Sequence, residues 1–356
     1  MTLPVTLADL DAARERIAPY ILRTPLTYSY LLSQDAGCDI WLKQENRQRT
    51  GSFKPRGALN KILSLTAGER GRGIAAASAG NHALGVAHAC RALGIQPADI
   101  FVQANASPAK LAKLREYPAQ VHLVGDTYEA AQQAALAHVR ATGASFVSAY
   151  DDPAVIAGQG TCGLEIVEDA GDLGAVIVPV GGGALISGIA LAVKALRPKA
   201  RVIGVNPAAS PSALLSFQRG YAVDPYDHEP TLAHGLAGGF GKIPFEVARR
   251  LVDEIVLVSE DEMKQAIIAL IDSDQILAEA SGVVGVAAAL FRKVSLTGKV
   301  VVVVSGGNID SGTLRAILAD SRNCSADVIA RRIFSRRSNL WRGTEGLPRR
   351  KRRSSQ

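Results

Sequence analysis

Cysteine is scarce in this chain of 356 residues: Cys38, Cys90, Cys162 and Cys324 are scattered, with no CxxC pair and no disulfide-like spacing. That excludes a disulfide-stapled secreted scaffold and points to a reducing, cytoplasmic setting. Histidine is equally sparse. Its six residues are dispersed, no HExxH occurs, and His82 and His88, six apart on a predicted helix, read as structural rather than as ligands; no metal is expected. No uncharged apolar run is long enough to cross a bilayer. The stretch "MTLPVTLADLDAARERIAPY" carries acids and no apolar run, which argues against a secretory signal. Aromatics amount to 5% against 47% hydrophobic residues overall, so the core must come mainly from Ala, Val and Leu. With 34 Gly as well, this is the profile of an α/β protein whose helices cover parallel sheets.

Acids are nearly absent from one end. Residues 331–356 hold nine Arg and one Lys against Glu345 alone, a local charge of +9 that leaves residues 1–330 at −2 out of the total of +7. The tail reads as a disordered basic appendage. No nucleic-acid-binding motif accompanies it, so neither a specific nucleic acid nor a membrane is expected as partner.

Short apolar runs alternate with helix-length segments over the rest. Strands are predicted at 73–78, 99–104, 120–125 and 145–150, then at 175–180, 201–205, 254–259 and 299–305; helices are predicted at 79–93, 126–142, 185–196, 260–272 and 279–294. This order implies parallel sheets with right-handed crossovers, in two groups that change over near residue 150, with a cleft between them. Loops rich in Gly, Ser and Asn follow three strands: "SAGNHALG", "GGGALISG" and "SGGNID". Ligands of open parallel sheets bind at such strand ends, where helix N-termini present free N–H groups.

The stretch "TGSFKPRGALNKI" (50–62) sets Lys54 at a loop-to-helix junction. Pro55 suits the first turn of a helix and disfavours helical geometry in the residue before it. A solvated surface lysine is the plain reading of this stretch alone. "VPVGGGALISG" (178–188) is a phosphate cradle: glycines allow close backbone approach, and the helix that follows favours negative charge. A dinucleotide is disfavoured, because a glycine three beyond Gly183 is replaced by Ile186 and the next strand ends at Asn206 rather than an acid. A P-loop fails for want of Gly-Lys-Ser/Thr. A monophosphate cradle, a lysine and no metal cluster point to pyridoxal 5'-phosphate, whose chemistry calls for a lysine amine, a phosphate anchor and a partner for the ring nitrogen.

Five ordered motifs, "KQENRQRTGSFKPRGA" (43–58), "ASAGNHALGVA" (77–87), "YDDPAVIAGQGT" (150–161), "VPVGGGALISG" (178–188) and "VSGGNID" (304–310), resemble those of the fold type II pyridoxal-phosphate enzymes of the threonine/serine dehydratase group, to which serine racemases are related. The resemblance spans residues 5 to 320. It implies two three-layer α/β/α domains of the tryptophan synthase β-like type with the cofactor in the cleft: residues 1–66 and 148–320 as the larger, 73–147 as the smaller, mobile one. It also implies a homodimer acting on a small amino acid. By resemblance, Lys54 carries the cofactor and acts as the catalytic base, Phe53 packs against the ring, and Asn81 bonds its phenolic oxygen. Gly181, Gly182, Gly183, Ala184 and Leu185 hold the phosphate, with Ala184 in place of a frequent glycine, and Ser305 meets the ring nitrogen. Ser78, Ala79, Gly80, Asn81 and His82 receive the substrate carboxylate.

The implied reaction is loss of the β-hydroxyl of L-threonine or L-serine, giving a 2-oxo acid and ammonia. Elimination from 3-hydroxyaspartate and racemisation of serine are the alternatives on the same scaffold. Racemases resembling this chain carry a second serine where Ala79 stands, and a methyl group cannot exchange a proton. The acids that hold a divalent cation in such relatives are replaced by Asn206 and Ser212. His234 occupies a place where an acid is common, and Glu279 is read equally well as an acid near the pyridine edge or as a carboxylate at a helix N-terminus. β-Replacement enzymes of this fold usually have asparagine after the lysine, and Pro55 argues against that activity. Nothing beyond residue 320 has the length of an appended regulatory domain.

Overall fold

The structure is a computed structural model that describes residues 3–320; Cys324 and the basic segment 331–356 lie outside the described residues. The chain up to Ile309 forms one unit, and residues from Asp310 another.

Ten strands lie in the first unit: β1 (Leu26–Tyr28), β2 (Asp39–Gln44), β3 (Ile74–Ala77), β4 (Ala98–Val102), β5 (Ala119–Leu123), β6 (Ser145–Phe146), β7 (Ala175–Pro179), β8 (Arg201–Pro207), β9 (Glu254–Val258) and β10 (Lys299–Val304). They form a six-stranded sheet ordered β1-β2-β10-β7-β8-β9 and a four-stranded sheet ordered β5-β4-β3-β6. Every pairing is parallel except β1 with β2. β3 and β7 are buried along their whole length. Helices cover both faces of such strands, which is why they read as unbroken apolar runs rather than alternating ones.

All eight predicted strands are present. The last of the first group is shorter than expected: β6 stops at Phe146 because the Ser148 hydroxyl accepts from the amides of Tyr150 and Asp151 and turns the chain. The helix predicted over 279–294 runs only from Ala280 to Leu290. Two further strands were not apparent in the sequence. β2 ends in Lys43 and Gln44, polar residues that are nevertheless buried. The helix Pro153–Ala170 is the longest in the unit despite Gly158, Gly160 and Gly163, residues that weaken isolated helices. Close packing explains them: a Cβ on Gly188, in the helix Ala184–Leu196, would lie 2.5 Å from the amide nitrogen of Gly160.

The helix that begins with Lys54 (Lys54–Ser64) is anchored by a buried charge network. Arg56, fully buried, donates to both oxygens of Glu45 (Nε to Oε2 and Nη2 to Oε1, each 2.8 Å) and to both of Glu165 (2.7 and 2.9 Å). Lys43 Nζ donates to Glu165 Oε2 at 2.6 Å and to the carbonyl of Thr24. Two cations and two carboxylates thus neutralise one another where unpaired charge would be costly. Burial pushes the Glu45 carboxyl upward, but Arg56, Lys43 and Thr24 outweigh it and hold its pKa below the usual range.

Candidate active site

Lys54 is the first residue of its helix, not an extended residue preceding it. Pro55 follows in the first turn, where an amide would lack an intrahelical acceptor and its absence costs nothing. Lys54 Nζ has one hydrogen-bond partner among the described residues, the carbonyl of Ala149 at 3.0 Å, and lies 5.1 Å from the centre of the Phe53 ring. Burial lowers its pKa to about 8, with Glu279 pulling weakly the other way.

Lys54 opens onto a small cavity lined also by Phe53, Gly181 to Leu185, Ser305, Ala149, Tyr150, Pro179, Gly235 and Leu236. The sheet register brings these loops together. Val302 lies opposite Ile177, so Ser305 and Val180 leave the adjacent strands β10 and β7 at the same level. Asn206 holds the exit of β7 from the side: its Nδ2 donates to the carbonyl of Val180 at 2.7 Å, and its Oδ1 accepts from the amide of Leu214.

The loop after β7 is shaped as a cradle. Gly183 caps the 13-residue helix Ala184–Leu196 at φ +97°, a conformation that favours glycine. A Cβ on Gly182 would collide with the Tyr150 ring, and one on Gly181 would lie 3.0 Å from the carbonyl oxygen of Gly235. Ala184 is within the helix and not among the residues at positive φ, so its methyl group is accommodated. The first amides of a helix have no acceptor of their own and attract anions. A side-chain-free loop at a helix start, facing an amine with no carboxylate hydrogen-bond partner among the described residues, fits a compact aldehyde that bears a phosphate. The residues present therefore fit pyridoxal phosphate.

Ser305 is buried, and its Oγ is 3.4 Å from the carbonyl of Ser281. Asn81 opens the helix Asn81–Ala92. It does not line this cavity but stands beside its Ser305 wall: a Cβ on Gly306 would be 3.4 Å from Asn81 Nδ2. Asn81 Nδ2 donates to Glu279 Oε1 at 2.6 Å; Glu279 thus meets Asn81, a contact the sequence did not reveal. Ser78, Ala79, Gly80 and His82 also lie outside the lining. The Ser78 hydroxyl accepts from the amide of Gly80. His82 is buried, its Nε2 pairs with the carbonyl of Val147 at 2.9 Å, and burial with the nearby Lys54 lowers its pKa to about 3. The ring is therefore neutral, and its Nε2 is already engaged.

Several lining residues carried no sequence signal of their own. Tyr150 sits inside a quoted motif, yet its role appears only in the fold: the ring covers Gly182 and the hydroxyl donates to Asp224 at 3.1 Å. Gly235 and Leu236 follow His234, which is exposed. Ser212, one of the two positions compared with a cation site, is buried with an unpartnered hydroxyl, and the described residues contain no group of three or more metal-ligating side chains arranged for an ion.

The family model described as "Pyridoxal-phosphate dependent enzyme" matches residues 17–306. L-threonine ammonia-lyase of Thermotoga maritima is 47% identical over 316 residues, 88% of this chain and 78% of that protein. Among solved structures, a threonine deaminase from T.th. is 40% identical with a TM-score of 0.80, covering 86% of this chain and 99% of its own. Maize serine racemase is 32% identical with a TM-score of 0.82, covering 90% of this chain and 98% of its own.

Proposed function

The chain belongs to the pyridoxal-phosphate dependent enzymes, and within that family we propose that it is an ammonia-lyase that removes the β-hydroxyl of L-threonine, L-serine or both, releasing a 2-oxo acid and ammonia. The observation that carries this reading is Lys54: an amine with a pKa lowered to about 8, in one cavity with the loop 181–185 and Ser305. Relatives named for this activity support it.

When bound, pyridoxal phosphate supplies a sink for the electron pair left as the Cα proton departs. The chain's own residues bind, orient and move the proton. Lys54 Nζ takes the Cα proton; an amine whose pKa lies near the working pH is an effective base. The amides of Gly181, Gly182, Gly183, Ala184 and Leu185 would hold the phosphate, Phe53 would pack on the ring, and Asn81 would meet the phenolic oxygen. Ser305 offers the ring nitrogen a neutral hydroxyl, which does not favour its protonation as a carboxylate would; the milder sink suits elimination. Ser78, Ala79, Gly80, Asn81 and His82 receive the substrate carboxylate at a helix start, with Ser78 offering its hydroxyl proton.

Ala79 has no exchangeable proton, which favours elimination over racemisation. We assign the mobile role to residues 73–147, which contain the four-stranded sheet, and the larger domain to 1–66 and 148–320. A cytoplasmic homodimer is the setting we favour, a reading supported by free Cys38, Cys90 and Cys162 and by family likeness. Among the described residues, no helix is long and apolar enough to cross a membrane.

The test supplies the holoenzyme with L-threonine, L-serine and 3-hydroxyaspartate and measures 2-oxo acid and D-isomer together. Oxo acid from threonine or serine, with little D-isomer, is expected. D-isomer without oxo acid would overturn the reading.

A further inference from the structure

Asn81 is gripped at both ends of its side-chain amide. Its Nδ2 donates to Glu279 Oε1 and its Oδ1 accepts from Asn308 Nδ2, each at 2.6 Å. The direction of these bonds is set from outside. Lys113, exposed on the helix Pro108–Arg115, donates to Asn308 Oδ1, and an ammonium has no acceptor capacity. Asn308 must then offer its Nδ2, which also donates to the carbonyl of Thr50 at 2.8 Å. At the far end, an ionised carboxylate only accepts. A flipped Asn81 amide would set N–H against N–H at Asn308 and oxygen against oxygen at Glu279.

We propose that Glu279 and Asn308 are positioning residues that lock the Asn81 amide in one orientation, so that its remaining N–H is held as a donor for the cofactor. This rests on the reading of Asn81 as a cofactor contact. Both clamps are themselves fixed by backbone. The Glu279 amide donates to the carbonyl of Gly306 at 3.1 Å, and its Oε1 occupies the space a Cβ on Gly306 would need, next to Ser305. Asn308 likewise fills the space beside Gly51, three residues before Lys54. The relay therefore ties the entry to Lys54, the turn after Ser305 and the start of the Asn81 helix to one hydrogen-bond polarity. Burial pushes the Glu279 carboxyl above its usual range, while Asn81, Lys113, Lys110 and Lys54 pull against it, so rising pH favours the ionised form that the relay requires.

The test is a double-mutant cycle on cofactor binding in the full chain. Asn81→Ala, Glu279→Gln, Asn308→Ala and the two doubles that contain Asn81→Ala are compared with wild type. The readouts are the Kd for pyridoxal phosphate and the balance of the bound cofactor's absorption bands, both at mildly alkaline pH. Each single change is expected to raise Kd by roughly three- to thirtyfold and to shift the bands, whereas adding Glu279→Gln or Asn308→Ala to Asn81→Ala changes Kd by less than about twofold. Effects that multiply would overturn the proposal, because the two residues would then act independently of Asn81. Wild-type Kd and bands in Asn81→Ala would instead sink the reading of Asn81 itself, and the proposal with it. If the buried variants fail to fold, exposed Lys113→Met replaces them: a rise in Kd that vanishes in the Asn81→Ala background supports the relay, and an equal rise in both backgrounds contradicts it.

Discussion

A lysine amine whose surroundings offer one carbonyl oxygen and an aromatic face has little to hold its proton. That is the condition of Lys54, and its pKa near 8 follows from burial. The neutral form is the one that attacks an aldehyde. Uptake of pyridoxal phosphate by the cofactor-free protein should therefore accelerate with pH, by about tenfold per unit below a midpoint near 8, and level off above it. Stopped-flow absorbance across pH checks this, and a midpoint near the ordinary lysine value would contradict it. Gly182 offers a second residue-scale prediction. A methyl group there must displace the Tyr150 ring or the cradle, so Gly182→Ala is expected to weaken cofactor binding by roughly ten- to a hundredfold, the scale of one to two lost bonds to a charged group. Equilibrium dialysis gives the answer; unchanged affinity would mean that the ring yields freely.

At the scale of elements, the helix Lys54–Ser64 is held by Arg56 between Glu45 and Glu165. Removing the guanidinium leaves two buried carboxylates short of a partner, so Arg56→Ala should cost about 3–5 kcal/mol in urea unfolding. Because the Glu45 pKa is depressed in the folded state, its contribution is complete above the unfolded value of about 4.3 and is lost as pH falls below it. Wild-type stability should thus decline at acid pH, and more steeply than that of a variant with Glu45 and Arg56 replaced together by apolar residues. These anchors were the part of the fold least legible in the sequence. β7 and β10 read plainly as strands, because unbroken β-branched runs have little else to form. β2 ends in Lys43 and Gln44, and the helix Pro153–Ala170 carries three glycines; in each case a partner distant in sequence, Glu165 for Lys43 and Gly188 for Gly160, makes the local oddity favourable. The same division runs through the site. Lys54, the 181–185 loop and Ser305 carry motifs because their residue types are constrained one by one. Tyr150, Asn206 and Glu279 act through contacts that only the folded chain brings together.

For the molecule as a whole, every residue assigned to the site or to its positioning lies between 53 and 308, whereas the net positive charge resides in 331–356. Deleting 331–356 should leave kcat/KM for the amino-acid substrate within about twofold of the full chain, because none of the residues assigned to the site belongs to that segment. A larger loss would give the basic segment a part in catalysis. Everything proposed for the site depends on Lys54 carrying the cofactor, and covalent trapping decides that point. Borohydride reduction of the holoenzyme fixes the cofactor's aldehyde carbon to the amine that holds it, and peptide mass mapping then locates the adduct. The adduct is expected on the peptide containing Lys54, with none on Lys54→Ala; an adduct on another lysine in the wild-type protein would contradict the assignment.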